Sequence, residues 1–151
     1  MKSETKVGAL RSEPELPGGC SLWQFPKFSD PQGDLTVADL EANLPFPAKR
    51  IFFVYNVPND AVRGEHAHRE CNQIILAIKG AATVIIDDGK AAKNVVLADP
   101  SIGLFIPPRV WTKLCRFSSD AVLAVLASHP YQPEDYIDDY SEFVRIVAQP
   151  V

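Results

Sequence analysis

The sequence has few histidines and cysteines, and it lacks long runs of apolar or basic residues. It contains three histidines and three cysteines among 151 residues. No apolar run approaches the roughly 18 residues that a membrane-spanning helix requires. No run of Lys or Arg marks a surface for nucleic acid or anionic lipid, and the formal net charge is -4. We therefore expect neither nucleic acid nor a membrane as a partner.

The N-terminus and the cysteines indicate where the protein works. Met1 to Gly8 carries charged residues and no apolar segment of the kind that a signal peptide contains. The cysteines, Cys20, Cys71 and Cys115, are odd in number and widely spaced, which favours reduced thiols over a disulfide framework. Both observations predict a cytoplasmic protein.

Short segments rich in β-branched and aromatic residues alternate with Gly, Pro and Asp turns over most of the chain. Segments of this kind about 8–12 residues apart are typical of a β-sandwich or barrel. The segment 37–43 is interpreted as either a helical turn or a strand. The predicted strands are residues 49–57, 73–79, 83–87, 94–97, 104–106 and 121–127.

Only the C-terminal segment has helical spacing. Its apolar residues recur at intervals of three and four, which predicts a helix from Pro133 to Ala148 whose acidic residues, Asp135 among them, face solvent. The predicted fold is all-β with a short C-terminal helix. We expect an N-terminal arm over residues 1–28 and a single domain over residues 29–151.

The most informative local pattern is a pair of histidines, His66 and His68, separated by one residue. Residues two apart on a strand point to the same face, so both imidazoles would converge on one cavity. Imidazole accepts and returns protons near neutral pH. The alternative is an exposed loop pair without function. The flanking Glu65 and Glu70 are expected in solvent, and His129 at the surface or in a dimer contact.

The residues after the histidines resemble the two sequence motifs of the cupin superfamily. Gln73 stands where metal-binding cupins carry Glu. Residues 103–112 follow the spacing of the second motif, with Thr112 where a third His is expected. Amides and hydroxyls are poor ligands for transition metals. The sequence therefore predicts a barrel that holds no metal, and we expect no cofactor.

A closer resemblance, over roughly Ser29 to Val147, is to the cupin-fold sugar-nucleotide 3,4-ketoisomerases. It implies a jelly-roll barrel, a homodimer, and a metal-independent shift of the carbonyl from C4 to C3 of a dTDP-4-keto-6-deoxyhexose. Such reactions lead to unusual deoxy and amino sugars. The residues that carry the resemblance are Arg63-Gly64-Glu65-His66-Ala67-His68 and Pro107-Pro108-Arg109-Val110-Trp111, with segments 49–58, 87–89, 117–120, 125–128 and 135–137.

The resemblance also implies roles for individual residues. His66 and His68 are the catalytic candidates, one as base and the other as proton donor or orienting group. Tyr55, on the preceding strand, is a third catalytic candidate because its phenol can donate a hydrogen bond or act as an acid. Arg63 would hold the enediolate or the diphosphate. The remaining residues expected to bind substrate are Gln73, Arg109, Trp111 and Thr112.

Departures from the family pattern leave alternatives open. The family usually has His where this chain has Thr112, and Asp-x-Arg-Gly where it has Asp30-Pro31-Gln32-Gly33. The alternatives are a non-catalytic nucleotide-sugar-binding cupin, a related epimerase or isomerase with a different substrate, and a metal-dependent cupin. Three residues also have interpretations without a functional role. Trp111 can be an aromatic residue that lines the barrel, Arg109 an exposed residue without function, and Cys71 a buried thiol.

Overall fold

The computed structural model describes residues 7–10 and 15–150 of the chain. Within these residues the structure is β-rich, with a single α-helix, α1, at Tyr140–Ala148 and short 3₁₀ turns at Pro17–Gly19 and Pro133–Asp135. The strands are β1 (Gly8–Leu10), β2 (Ser21–Gln24), β3 (Lys27–Asp30), β4 (Gly33–Thr36), β5 (Arg50–Tyr55), β6 (Arg63–His68), β7 (Gln73–Lys79), β8 (Ala82–Asp87), β9 (Ala92–Leu97), β10 (Ile102–Ile106), β11 (Trp111–Cys115), β12 (Val122–Ala127) and β13 (Tyr136–Ile137).

The strands form two larger sheets and a hairpin. One sheet has the order β1-β2-β10-β7-β12-β5, the other β13-β6-β11-β8-β9, and β3 pairs with β4. Neighbouring strands are antiparallel. The predicted all-β fold with a short C-terminal helix is confirmed.

The apolar core lies between the two larger sheets. Successive side chains of a strand point to opposite faces, so Ile75 and Ala77 of β7 share this core with Val84 and Ile86 of β8. The intervening residues of β7 point outward. On the outer face of the six-stranded sheet, Ile74 and its neighbours form a second apolar cluster, consisting of Phe25, Phe46, Ile74, Leu76 and Leu126. Each strand of this sheet therefore presents two different surfaces.

Helix α1 covers the outer face of the five-stranded sheet. Asp139 caps its N-terminus by accepting a hydrogen bond from the backbone amide of Glu142. Phe143 is fully buried and packs in a third apolar cluster with Trp111. Among the described residues no helix has both the length and the apolar character needed to cross a membrane.

The six predicted strands are confirmed as β5, β7, β8, β9, β10 and β12. Helix α1 begins at Tyr140, seven residues after the predicted start at Pro133. Residues 133–135 form a 3₁₀ turn instead, and β13 pairs with β6. Residues 37–43 are neither helix nor strand. Strand β11 was not predicted, since its polar Thr112 and Lys113 weaken the strand pattern.

The sheet begins before the boundary predicted at residue 29. Strand β2 belongs to residues 1–28, the predicted arm, yet it pairs with both β1 and β10. These hydrogen bonds make Ser21–Gln24 part of the six-stranded sheet. Residues 1–6 and 11–14 of the predicted arm lie outside the described residues, as does residue 151 of the predicted domain.

Candidate active site

An irregular stretch of β6 aims the two histidines at the same space. Gly64 and Glu65 have left-handed backbone angles, with φ of 86° and 56°, and the pairing of β6 with β11 shifts register at this point. A side chain at position 64 would bring its Cβ within 3.0 Å of the Thr112 carbonyl oxygen, so the close approach of the strands requires glycine. Beyond this bulge the ring centroids of His66 and His68 lie 5.1 Å apart.

Both imidazoles face the interior between the sheets. His66 pairs with Thr112, and Thr112 pairs with the core residue Ile86. Directly paired residues share a face of the sheet, so His66 lies on the inner side, and His68 follows two residues later. The intervening Ala67 packs on the opposite side, in the apolar cluster beneath α1. The predicted convergence of the two histidines is what the structure shows.

A buried carboxylate holds His68. The Nδ1 atom of His68 lies 2.8 Å from Oδ2 of Asp135, whose exposed fraction is only 7%. The other oxygen, Oδ1, accepts a hydrogen bond from the Glu70 backbone amide at 2.7 Å. Neutral imidazole carries one proton, and the carboxylate places it on Nδ1. The Nε2 atom of His68 is buried and has no hydrogen-bond partner among the described residues, so its lone pair is available.

The electrostatics keep His68 neutral near pH 7. Burial lowers the pKa of His68 below its ordinary 6.5, and the hydrogen bond to Asp135 opposes this effect only in part. Burial acts to raise the pKa of Asp135, but its hydrogen bonds with His68 and the Glu70 amide outweigh burial and hold that pKa below 3.8. Neutral imidazole beside a carboxylate is the arrangement of a general base.

His66 is oriented by the backbone of its own strand. Its Nδ1 atom lies 3.0 Å from the Gly64 carbonyl oxygen. A carbonyl can only accept, so Nδ1 carries the proton and Nε2 is the acceptor in the neutral ring. His66 is half-buried, whereas His68 is buried. The two rings therefore offer two proton acceptors side by side.

Tyr136 contacts both histidines, and Tyr131 and Arg50 extend this row of contacts. The Tyr136 ring centroid lies 4.9 Å from that of His66 and 4.5 Å from that of His68. The Tyr131 ring lies 5.7 Å from Tyr136 and 5.9 Å from the guanidinium carbon of Arg50. We call the set His66, His68, Asp135, Tyr136, Tyr131 and Arg50 the histidine site.

The sequence prediction missed four members of the histidine site. Asp135 was wrongly expected on a solvated helix face, and Tyr136 was counted as part of the apolar helical spacing. Both belong to the Asp135-Tyr136-Ile137 segment on which the family resemblance partly rested, and that was the available signal. Arg50 likewise belongs to segment 49–58 of the resemblance, whereas Tyr131 had no distinguishing pattern.

Of the residues expected to bind substrate, two lie on the inner face near the histidines. Thr112 pairs directly with His66, and Gln73 is buried on β7. Gln73 and Arg50 pair with the same residue of β12, Ala127, from opposite sides, so both stand at the same level of the sheet. Arg63 is exposed at the start of β6.

Tyr55 does not lie with the histidines, and its predicted position in the site is wrong. Phe52 and Val54 of β5 pack against the inner core, so the alternating Phe53 and Tyr55 point away from it. Tyr55 is 60% exposed on this outer face. Tyr55 does lie on the strand that precedes the histidines, but its side chain points to the opposite face of the sheet.

Trp111 and Arg109 also lie away from the histidine site. Trp111 is buried on the outer side of β11, with ring centroids 5.6 Å from Phe143 and 5.2 Å from Tyr140. Arg109 donates a hydrogen bond to the Ile146 carbonyl near the end of α1. Both residues fasten the helix to the sheet, so their expected contacts with substrate are not supported.

The other flanking residues behave as expected. Glu65 and Glu70 are exposed, and Cys71 is a buried thiol that donates to the Asn72 carbonyl. His129 is half-buried, with Nδ1 2.7 Å from the Ser128 hydroxyl.

Among the described residues, one group of three side chains could hold a metal ion. The potential ligand atoms of His68, Cys71 and Asp135 lie within 4.8 Å of one another. Two of these side chains already bond to each other, since Nδ1 of His68 donates to Asp135, and the Cys71 thiol donates to a carbonyl. An ion bound through Nδ1 would have to displace the bond that holds His68. The donor set therefore does not fit a resident metal well.

Comparisons with known proteins show the family of this chain. Residues 18–148 match the family described as FdtA: WxcM-like, C-terminal. The TDP-4-oxo-6-deoxy-alpha-D-glucose-3,4-oxoisomerase of Aneurinibacillus thermoaerophilus is 36% identical over 125 residues, covering 83% of this chain and 90% of the relative.

Solved structures give the same result. A 3,4-ketoisomerase from Helicobacter canadensis has a TM-score of 0.83 and 36% identity, covering 87% of this chain and 98% of that one. A histidine-to-asparagine mutant of the 3,4-ketoisomerase QdtA from Thermoanaerobacterium thermosaccharolyticum, in complex with TDP-4-keto-6-deoxyglucose, has a TM-score of 0.85 and 30% identity, covering 87% and 96%. With its jelly-roll of two antiparallel sheets and its paired histidines, this chain belongs to the FdtA-like family of cupin-fold sugar-nucleotide 3,4-ketoisomerases.

Proposed function

We propose that the protein is a metal-independent 3,4-ketoisomerase acting on a dTDP-4-keto-6-deoxyhexose. The observation that carries this proposal is the pair of imidazoles, each with its Nδ1 proton held by the protein and its Nε2 available. The relatives support the substrate class, because the curated enzyme is named for TDP-4-oxo-6-deoxyglucose and the QdtA mutant binds TDP-4-keto-6-deoxyglucose.

The reaction needs a base, a stabilised anion and an acid. The base takes the proton from C3, which the C4 ketone acidifies, and the C3–H electron pair forms a C3=C4 double bond while the carbonyl pair moves onto O4. O4 then gains a proton and O3 loses one. The electron pair of the double bond takes up a proton at C4, and the carbonyl stands at C3. Two neighbouring imidazoles can supply both proton transfers.

The histidine pair supplies both proton transfers that this proposal requires. Asp135 keeps the proton of His68 on Nδ1 and stabilises the imidazolium that forms during turnover, as a carboxylate does behind a catalytic imidazole elsewhere. His66 and His68 divide the roles of base and acid between them. Thr112 cannot act as a base at neutral pH, and its hydroxyl lies 3.5 Å from the Val110 carbonyl oxygen, so the return of the proton does not depend on it.

We further propose that the protein is a homodimer whose interface is the outer face of the six-stranded sheet. Ile51, Phe53, Tyr55 and Ile78 are exposed there although they are large and apolar. An apolar groove of about 830 Å³ lies on the same face, between this sheet and the β3–β4 hairpin. A continuous apolar surface of this kind is typical of a protein interface, and the apolar residues would be buried in the dimer.

The thiols support a cytoplasmic location, which we also propose. Cys20, Cys71 and Cys115 are all free and buried. Burial raises the pKa of Cys20 to about 12, so this thiol stays protonated. Only the thiolate forms disulfides readily, and the chain therefore suits a reducing compartment.

The primary test follows the sugar nucleotide by NMR in deuterated buffer. Wild-type protein is expected to convert dTDP-4-keto-6-deoxyglucose to the 3-keto isomer with deuterium incorporated at C4. His66→Asn and His68→Asn should each lower the rate by at least about 10²-fold, because each removes an acid–base group. The variant that has lost the base should no longer exchange the C3 proton, and the variant that has lost the acid should exchange it without forming product. Binding of dTDP without isomerisation would instead establish a non-catalytic binding protein.

Asp135→Asn tests the control of the His68 proton. The Glu70 backbone N–H can only donate, so it keeps its hydrogen bond to the side-chain oxygen of the new Asn. The NH₂ group of that Asn then faces Nδ1 of His68. The imidazole proton must then move to Nε2, and the isomerisation rate should fall by a factor on the order of 10²–10⁴. Nitrogen-15 NMR of the imidazole should show the proton on Nε2.

The pH dependence of this variant has a defined sign. Asp135 acts to raise the pKa of His68, so its neutralisation should lower that pKa further, and NMR titration measures the change. In the wild type, protonation of His68 should reduce kcat/KM only below pH 6.5. Asp138→Asn, at an exposed position three residues later, is the matched control with an unchanged rate. A normal rate and an Nδ1 proton in Asp135→Asn would contradict the role.

Metal analysis separates this proposal from a metal-dependent cupin. Because Gln73 and Thr112 replace stronger ligands and Nδ1 of His68 is bonded to Asp135, native protein should contain only trace transition metal. Activity should survive dialysis against a chelator. Stoichiometric metal, with activity lost on its removal and recovered on its return, would exclude the metal-independent mechanism.

The dimer proposal is tested by sedimentation or light scattering. Wild-type protein should have twice the mass of the chain, and Phe53→Lys should shift it toward the monomer because a charge cannot be buried in an apolar interface without a partner. Val96→Lys is the matched control, since Val96 is 67% exposed on the other sheet. A monomeric wild type, or an unchanged mass for Phe53→Lys, would refute the proposed interface.

A further inference from the structure

Arg50 holds its guanidinium on the histidine side of β5. It is the first residue of that strand, and its side chain points to the same face as that of Phe52, which packs against the inner core. The guanidinium carbon lies 5.3 Å from the Phe52 ring centroid and 5.9 Å from that of Tyr131. Arginine stacks favourably on aromatic faces, so the two rings position a planar cation.

This cation has no counter-charge within the described part of the chain. The ion pairs found there are Lys27–Asp34, His68–Asp135 and Arg69–Glu142, and Arg50 takes part in none of them. Its Nε atom is buried without a hydrogen-bond acceptor. A guanidinium remains charged at any physiological pH, and an unpaired buried donor is costly. Folding stability therefore does not account for the position of Arg50.

The charge of Arg50 acts on His68, a histidine that the proposed reaction uses. Arg50 is one of the groups that lower the pKa of His68, so the field of the guanidinium reaches the imidazole. A continuous row of ring contacts joins the two residues through Tyr131 and Tyr136. Removal of the C3 proton beside His68 leaves negative charge on the sugar oxygens, within the same site.

We propose that Arg50 is a further catalytic residue, which donates hydrogen bonds to O3 and O4 of the enediolate. This inference rests on the proposed function. Oxygens on adjacent carbons of a planar enediolate match the fork of a guanidinium, as the two oxygens of a carboxylate do. The oxygen atoms would also satisfy the donor that the protein leaves unpaired. A donor already in place before the anion forms stabilises the transition state more than the ground state.

The arginine expected from the sequence is less suited to this role. Arg63 is exposed at the opposite end of β6 and pairs with Leu114, beyond the bulge that separates it from the histidines. An exposed guanidinium of that kind suits the diphosphate. Arg50 lies instead on the same face of β5 as the core residue Phe52, where Tyr131 and Tyr136 connect it to His68, so the enediolate is the anion that we assign to it.

The test compares Arg50→Gln with wild type after wild-type isomerisation has been established. Glutamine removes the charge and the fork. We expect kcat to fall by a factor on the order of 10²–10³, exchange of the C3 proton with deuterated solvent to slow to a similar extent, and the Kd for dTDP to change by less than about twofold. Arg145→Gln, on the exposed face of α1, is the matched control with unchanged kcat.

Arg50→Lys keeps the charge and is the second variant if Arg50→Gln does not fold. A single ammonium group cannot donate to both oxygens as the fork does, so kcat should fall by at least about tenfold with unchanged dTDP affinity. If the wild type converts the substrate and either variant keeps full activity, the proposed role of Arg50 is refuted. The proposed function of the protein would then still stand. A loss confined to dTDP affinity would also overturn the role of Arg50, because the partner would then be the diphosphate. An inactive wild type would refute the proposed function itself.

Discussion

The buried hydrogen bond between His68 and Asp135 is the interaction on which the site depends. It joins residues 67 positions apart in the sequence and fastens the 3₁₀ turn at Pro133–Asp135 to β6. The same carboxylate binds the Glu70 amide, so it cannot rotate without breaking a second bond. The bond sets the tautomer of His68, and it places Tyr136, the next residue, against both imidazoles.

The alternation of side chains along β5 separates two functions. Arg50 and Phe52 point toward the histidines and the inner core, while Phe53 and Tyr55 point toward the apolar outer face. Chemistry and association can thus use opposite sides of one strand. A shift of register by one residue would exchange the two faces, and the pairing of all six residues of β5 with β12 holds the register.

Much of the fold was predictable because the responsible signals are local. Alternating apolar residues and Gly, Pro and Asp turns located six strands, and the spacing of His66 and His68 placed them on one face. The helix boundary was not predictable in this way. The three/four spacing continues through Tyr136 and Ile137, and nothing local shows that these two residues pair with β6 instead. Trp111 was ambiguous for the same reason, since its sequence neighbours do not reveal that α1 covers the outer face of β11.

Sequence patterns predicted the β-barrel class and the shared face of the two histidines, and the cupin resemblance implied that Gln73 and Thr112 replace strong metal ligands. These properties depend on the period of the strand and on the chemistry of single side chains. The three-dimensional structure was needed to show that Asp135 holds His68 and that Tyr136 lies against both rings. It was also needed to show that Arg50 has no counter-charge among the described residues. Hydrogen bonding and charge compensation depend on distance in space, and the pairing of β13 with β6 brings together residues that are far apart along the chain.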